Sequence, residues 1–486
     1  MSGVEKLQLA PGLEISRVLT GLWQIADLER GGQDLDPEAT SKFMQPYIEA
    51  GFTTFDMADH YGSAEIIAGR CKNHVPGGTG SQLLTKWVPK PGPVTRQDVK
   101  EAVQRSLDRM QVGRLDMLQY HAWNYADPAW LDSLLWLMEL RQEGLIAQLG
   151  LTNFDAAHLR VACASGIKIL TNQVSYSPLD QRAAGEMAEV CQQYGVKILA
   201  FGTLAGGFLS GKWLAQPEPS DEQLKTWSQM KYKRFIDTAG GWQRYQVLLS
   251  TLNEIARKHA APISTIVSRY MLDQPGVGGI ILGARLGQSE HIAENLGIFD
   301  VSLDADDRAS IRIAISRMQP IPGNCGDEYR KPPFLTASGD LSHHLESIPN
   351  VFKPVQSADG RSRVFSGVSW EDLAGYCRAI RDGSQIRVSG TTASHGDHLV
   401  GGTDPAAQMH FVIDKIQAAI ESLGGRLEDV ERTRVFVSNI DHWEPVARAH
   451  GQRFGHIQPV NTLVEARLVG AQYLVEVEAD ACVRKG

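Results

Sequence analysis

An aspartate and a tyrosine, Asp56 and Tyr61 in the run FDMADHYG, stand directly behind the apolar segment GFTTF. Lys86 closes a second apolar run, LLTK, and His121 closes a third, LDMLQYH, so four titratable side chains each sit at the end of a strand-like stretch. Taken singly, each has an ordinary structural reading. Gly62 and Ser63 before AEIIAG could cap a helix, Lys86 could be solvated, and His121 could be a core histidine. Taken together they make a proton donor. A phenol with a pKa of about 10 is a poor acid at neutral pH unless a neighbouring cation favours the phenolate. Lys86 can supply that cation, and Asp56 would keep the lysine charged and oriented. His121 could then donate a hydrogen bond to the same substrate oxygen as negative charge develops there. No serine or cysteine stands with a base in the way nucleophilic catalysis requires.

Such a set must be held by elements that bring distant strand ends together. From about residue 17 to 284, β-type runs (VLTGLW, TTFDMA, LLTKW, LDMLQYH, IAQLGLTN, ILTNQVSY, KILAFGT, GGIILGA) alternate with helix-period segments such as RQDVKEAVQRSLDRM and AGEMAEVCQQYG. Repeated β-then-α units imply parallel strands covered by helices, and eight of them predict a (β/α)8 TIM barrel, whose chemistry sits at the C-terminal strand ends. A doubly wound sheet is the alternative, but SRVLTGLWQIADLERGG lacks the expected GxGxxG turn. Residues 214–245 read as a long loop whose aromatics (Trp227, Tyr232, Trp242, Tyr245) are expected to line or cover the bowl or, equally, to be packing residues. After residue 318 a Pro- and Gly-rich stretch, QPIPGNCGDEYRKPPFLTASGD, reads as a linker or strap over 319–360. A second, small α+β domain is expected over 361–486, with strands in IRVSGTTAS, TRVFVSNI, TLVEARLVG and YLVEVEADACV and helices in AAQMHFVIDKIQAAIESLGG and EPVARAHGQRFG.

Composition narrows the class. The chain has 486 residues, 43% hydrophobic and 21% charged, with a formal net charge of −8, which fits an ordinary mildly acidic globular protein and not a nucleic-acid surface. Neither a signal peptide nor a membrane span is evident, so a cytoplasmic location is expected. Cys71, Cys163, Cys191, Cys325, Cys377 and Cys482 are scattered without a CxxC pair, as reduced core thiols would be. The HGDH run at His395–His398 lacks a second ligand pair and reads as a solvated turn; no metal is expected.

FDMADHYG, LLTKW, LQYH, GLTNF, NQVSYSPL, LAGGFLSGK and GGIILGARLGQSEHIAENL together resemble the aldo-keto reductase superfamily over about residues 10–318. The resemblance implies that Asp56, Tyr61, Lys86 and His121 form the catalytic tetrad of an NAD(P)H-dependent oxidoreductase acting on an aldehyde, ketone or sugar, with Tyr61 as proton donor. It further implies that Thr152, Asn153 and Gln173 hold the nicotinamide carboxamide and that Phe201 stacks on its ring. Trp23, Gly202, Leu204, Gly206, Lys212 and Gly283 would also meet the cofactor, the glycines allowing backbone to approach the pyrophosphate. Arg285 would meet a 2′-phosphate, and Glu294 and Asn295 the adenine, so NADPH is preferred over NADH.

The run SGVSWEDLAGYCRAIRDGSQIRVSGTTAS with TRVFVSNI and TLVEARLVGAQYLVEVEA resembles the Rid family of reactive-intermediate deaminases, a chorismate-mutase-like fold, over about 361–486. That resemblance implies a homo-oligomer, trimeric through this domain. The family's carboxylate-gripping arginine falls at Asn461, where a neutral amide makes no charge-assisted clamp; Glu478 falls near the water site. The competing readings are a bifunctional imine- or enamine-processing enzyme and a non-catalytic cofactor-binding module.

Overall fold

The computed structural model describes residues 3–331 and 348–484. The eight apolar runs form eight parallel strands: β1 (Val18–Gly21), β2 (Thr54–Asp56), β3 (Gln82–Trp87), β4 (Leu115–Tyr120), β5 (Ile146–Thr152), β6 (Thr171–Ser175), β7 (Lys197–Phe201) and β8 (Val277–Gly283). They close into a barrel in sequence order, with β8 pairing to β1. These strands read as nearly continuous apolar stretches because side chains on one face fill the barrel and those on the other meet the helices. An antiparallel hairpin, Lys6–Ala10 with Leu13–Ser16, precedes β1. Its Leu13 and Ile15 pack with Leu19, Leu84, Met117 and Leu199 inside the barrel and plug its N-terminal end. The opposite end is therefore the one left open.

Local chemistry sets the covering helices. Thr95 and Asp98 form a capping box that starts Arg96–Met110. Asp155 caps helix α1 (Ala156–Ala164) by accepting the His158 backbone N–H at 2.8 Å. The segment read as a long loop at 214–245 contains helix α2 (Trp227–Thr238), started by Thr226, and leads into the helix Trp242–Lys258. Residues 319–331 run back across the open end of the barrel, where Cys325, Asp327 and Glu328 are buried. Of the stretch read as a linker or strap over 319–360, residues 332–347 lie outside the described residues.

The second domain is an α+β unit around a seven-stranded sheet: β9 (Val355–Gln356), β10 (Ser362–Val364), β11 (Ala379–Asp382), β12 (Gln385–Thr392), β13 (Val430–Val437), β14 (Val460–Glu465) and β15 (Val475–Cys482). Its order is β9-β10-β11-β12-β15-β13-β14, antiparallel except for β13 with β14. Helix α3 (Pro405–Ser422) is buried on nearly every side, from Ala407 through Asp414 without a break. A helix so enclosed lies between two layers, here its own sheet and barrel helix α1. Polar ties join the units. His158 Nε2 and Asp414 Oδ2 lie 2.9 Å apart, Arg160 donates to Asp404 at 2.9 Å, and His395 Nε2 meets Asp132 at 2.9 Å. The HGDH turn is thus an interdomain contact at His395, not a wholly solvated loop.

All six cysteines are free, and burial pushes the thiols of Cys71, Cys163 and Cys191 up to about 12, so they stay protonated and unreactive. Among the described residues no helix is long and apolar enough to cross a membrane.

Candidate active site

The open end of the barrel holds a cavity of about 690 Å3. Register brings the strand-end residues together: Gly21 lies beside Asp56, and Lys86 beside Gln119. Lys86 is buried, and its Nζ donates to Asp56 Oδ2 at 2.6 Å and to the Met57 carbonyl at 2.8 Å. The other carboxylate oxygen of Asp56 accepts from Gln173 Nε2 at 2.6 Å and Gln119 Nε2 at 3.2 Å. A carboxylate held this way cannot swing away from the lysine. Burial lowers the Lys86 pKa, with Asp56 and then Asp59 opposing the shift. The ammonium sits 5.1 Å from the centroid of the Tyr61 ring, and Trp23 and His60 meet that ring edge-on at 4.9 and 4.8 Å.

His121 follows β4 and is fully enclosed. Burial, reinforced by the nearby Arg330 charge, drops its pKa well below the usual histidine value, so the imidazole is neutral. Neither ring nitrogen makes a hydrogen bond of good geometry among the described residues, although the Thr152 backbone is near enough to oppose the shift. A buried polar atom left this way costs about 1–3 kcal/mol unless a ligand takes it. Trp123 fixes the ring edge-on at 4.5 Å and is itself anchored by a 2.7 Å bond to the Pro89 carbonyl.

The tetrad forms one part of the cavity lining, and Trp23, Thr152, Asn153, Gln173, Phe201, Gly202, Leu204, Gly206, Lys212, Gly283 and Arg285 line more of it. Asn153 Oδ1 and Thr203 Oγ1 are buried without hydrogen-bond partners among the described residues. Gly202 and Gly206 have φ of 68° and 62°, and a Cβ on Gly206 would stand 2.8 Å from the Ser228 carbonyl. Arg285 reaches Asp27 at 3.3 Å. Orphaned acceptors, close-lying glycine backbone, an aromatic face and two cations together fit a nicotinamide dinucleotide. Glu294 instead bonds Ser264 and faces His291, and neither Glu294 nor Asn295 lines the cavity, whereas His291 does.

Sequence reasoning missed Gln24, Thr203, Lys231 and Tyr329, all of which line the cavity. Thr203 follows Phe201 closely enough to have been noticed. Lys231 and Tyr329 reach the cavity only through the folded positions of α2 and the strap. Of the four loop aromatics, Trp227 and Tyr232 line the cavity. Trp242 and Tyr245 are packing residues instead: they donate to the Gln216 and Phe208 carbonyls, both meet the Phe208 ring edge-on, and Trp242 meets Trp213 edge-on.

In the second domain Asn461 Nδ2 donates to Thr433 Oγ1 at 2.9 Å, and that oxygen also meets His450 Nε2. Glu478 is paired with Arg434, which also reaches Asp480 at 3.4 Å. Among the described residues no three histidine, cysteine or carboxylate side chains gather as metal ligands.

Comparison with known proteins agrees with this architecture. The model of the Aldo/keto reductase family matches residues 17–316, and that described as Endoribonuclease L-PSP matches 368–483. The chain is similar to the chloroplastic pyridoxal reductase of Arabidopsis thaliana, 24% identical over 334 residues, which cover 64% of this chain and 86% of that protein. An uncharacterised Streptomyces coelicolor protein is 38% identical over 120 residues, covering 24% of this chain and 90% of its own. The solved glycerol dehydrogenase of Gluconobacter oxydans, 20% identical, covers 66% of this chain and 97% of its own with a TM-score of 0.54, a likeness of fold alone. The barrel, the strand-end tetrad and a family match over more than half of the chain lead to one assignment: this protein belongs to the aldo/keto reductase family, an oxidoreductase barrel joined to a Rid-like domain.

Proposed function

We propose that the barrel reduces a carbonyl compound with Tyr61 as proton donor, Lys86 and Asp56 tuning that donor, and His121 positioning the oxygen. Asn153, Phe201, the Gly202–Lys212 stretch and Arg285 would hold a nicotinamide dinucleotide, which would provide hydride chemistry at the carbonyl carbon. The phenol proton of Tyr61 passes to the carbonyl oxygen, and the buried Lys86 ammonium stabilises the phenolate left behind. Neutral His121 donates to the same oxygen from a ring nitrogen that has no well-formed hydrogen bond among the described residues. The observation that carries this reading is the Lys86 clamp, a buried ammonium fixed between Asp56 and the Met57 carbonyl beside the Tyr61 ring. Screening aldehydes, ketones and sugars with NADPH and NADH, in both directions, tests it; no turnover with any carbonyl would reject it. Arg285, partly exposed beside the cavity, supports NADPH as the preferred cofactor.

The second domain serves assembly in this reading. Its helix face is taken by the barrel, while the opposite face of the sheet stays open and carries Val460 beside Arg387, Arg432 and Arg434. Edge strand β14 exposes Val460 and Val464, at 62% and 43%. An exposed apolar edge of this kind is covered in a closed homo-oligomer, and a threefold arrangement would pair it with identical copies. Asn461 is a neutral amide that donates to Thr433, so this position itself supplies no cation for an imino-acid carboxylate. Light scattering on the full chain should give an oligomer that Val460→Glu with Val464→Glu dissociates. A monomeric wild-type chain, or rapid hydrolysis of small imino acids, would overturn the assembly role.

A further inference from the structure

The cavity contains a cation that the proposed reaction does not use. Lys231, on α2, is only 6% exposed, yet it lines the cavity. Its Nζ donates to the Tyr329 hydroxyl at 2.5 Å and lies 4.3 Å from that ring's centroid and 5.5 Å from the centroid of Phe201. Tyr329 comes from the strap, and its ring stands 6.1 Å from that of His121. The ammonium is therefore at the reacting end of the cavity, between the aromatic face assigned to the nicotinamide and the imidazole that would hold the carbonyl oxygen.

Among the described residues no carboxylate lies within ion-pair distance of Lys231. Glu328 is close enough to feel its charge and its Oε1 has no hydrogen-bond partner among the described residues, yet it forms no ion pair with Lys231; its Oε2 goes to Arg182 at 2.8 Å, which binds Asp180 as well. A lysine ammonium has three donors, and one hydrogen bond to a phenol uses one of them. Burying a charge with its remaining donors unmet is unfavourable unless a counter-ion enters. Beyond the Tyr329 hydroxyl, the surrounding rings of Phe201, Tyr232 and Tyr329 offer only their faces.

We propose that Lys231, positioned by Tyr329, is a specificity residue that binds an anionic group of the substrate, so that the physiological substrate is a carbonyl compound carrying a carboxylate or phosphate. This rests on the reductase reading of the same cavity. The Lys231 charge would pull the anion toward the strap while the carbonyl meets Tyr61 and His121, so a substrate bearing both groups binds in one orientation. A neutral carbonyl compound leaves the ammonium unsatisfied, and discrimination against it follows from that penalty.

The test compares benzaldehyde with 4-carboxybenzaldehyde, and butanal with succinate semialdehyde and with a phosphorylated short-chain aldehyde. In the wild type kcat/KM should favour an anionic member at least tenfold, mainly through KM, and the stronger of the carboxylate and phosphate arms names the group. In Lys231→Met the anionic-to-neutral ratio should collapse toward one, and Lys231→Arg should keep most of it; a general loss of structure would lower both rates and leave the ratio. Equal rates for both classes in the wild type, or an unchanged ratio in Lys231→Met, would overturn the inference while leaving the reductase reading intact. If no aldehyde is reduced, that reading falls, and equilibrium binding of terephthalate against neutral terephthalamide judges the anion site: tenfold weaker terephthalate binding in Lys231→Met supports it, and equal binding rejects it.

Discussion

At the scale of single residues, the site depends on charges held where water would otherwise compete. Lys86 keeps its proton in a buried setting because Asp56 cannot leave it, and its lowered pKa has a visible consequence. As pH rises it becomes neutral earlier than a free lysine, so the reduction rate should fall on the alkaline side below the free-lysine value of about 10.4. A pH profile of the hydride-transfer rate checks this, and in Lys86→Met that limb should vanish along with most of the activity. In the proposed reading Arg285 acts at the other end. A charge-assisted contact to a 2′-phosphate contributes about 1.5–3 kcal/mol, so Arg285→Ala should weaken NADPH roughly tenfold to a hundredfold and NADH far less. Fluorescence titration of both cofactors reads the difference, and equal weakening would give the arginine another role.

At the scale of elements, position follows from a few close approaches. Gly202 has φ of 68°, and any Cβ there would run into the Tyr232 hydroxyl on α2. Gly202→Ala should cost of order 1–3 kcal/mol through strain and displacement of α2, and limited proteolysis should then cut within Trp227–Thr238 sooner than in the wild type. The eight barrel strands and the meeting of Asp56, Tyr61, Lys86 and His121 at one cavity were legible in the sequence because each is a local pattern: an apolar run, then a chemically distinctive residue. β10 was not, since three residues of SRV carry no period. Helix α2 was hidden because the polar, proline-bearing stretch before it made 214–245 read as one loop. Lys231 and Tyr329 could not be paired at all, because their contact spans 98 positions and depends on the strap folding back. Glu294 and Asn295 show the reverse problem: the motif is present, but the helix that carries it turns Glu294 toward Ser264.

At the scale of the whole molecule, the two units are fastened by a buried histidine. His158 stacks on Tyr125 at 3.5 Å and is gripped by Asp155 at 2.7 Å on one side and Asp414 at 2.9 Å on the other, while Arg453 also bonds Asp414 at 2.7 Å. Burial alone would lower the His158 pKa, but the two carboxylates outweigh it and hold the value raised. Its stabilising contribution is therefore fully present below the unfolded value of about 6.5 and is lost as pH rises through the higher folded value. His158→Gln leaves two buried carboxylates without that cation and should cost about 3–5 kcal/mol. Thermal unfolding against pH should show a lower midpoint and a flattened alkaline slope in the variant; an unchanged profile would remove His158 from the account. None of this fastening was legible beforehand, because Asp414 lies 256 positions from His158. The central claim, that Tyr61 delivers the proton during carbonyl reduction, is tested most directly in the intact chain by measuring single-turnover hydride transfer and cofactor affinity in Tyr61→Phe. The account predicts a rate lower by roughly 10²–10⁴-fold with cofactor affinity held, and near-wild-type hydride transfer in that variant would contradict it.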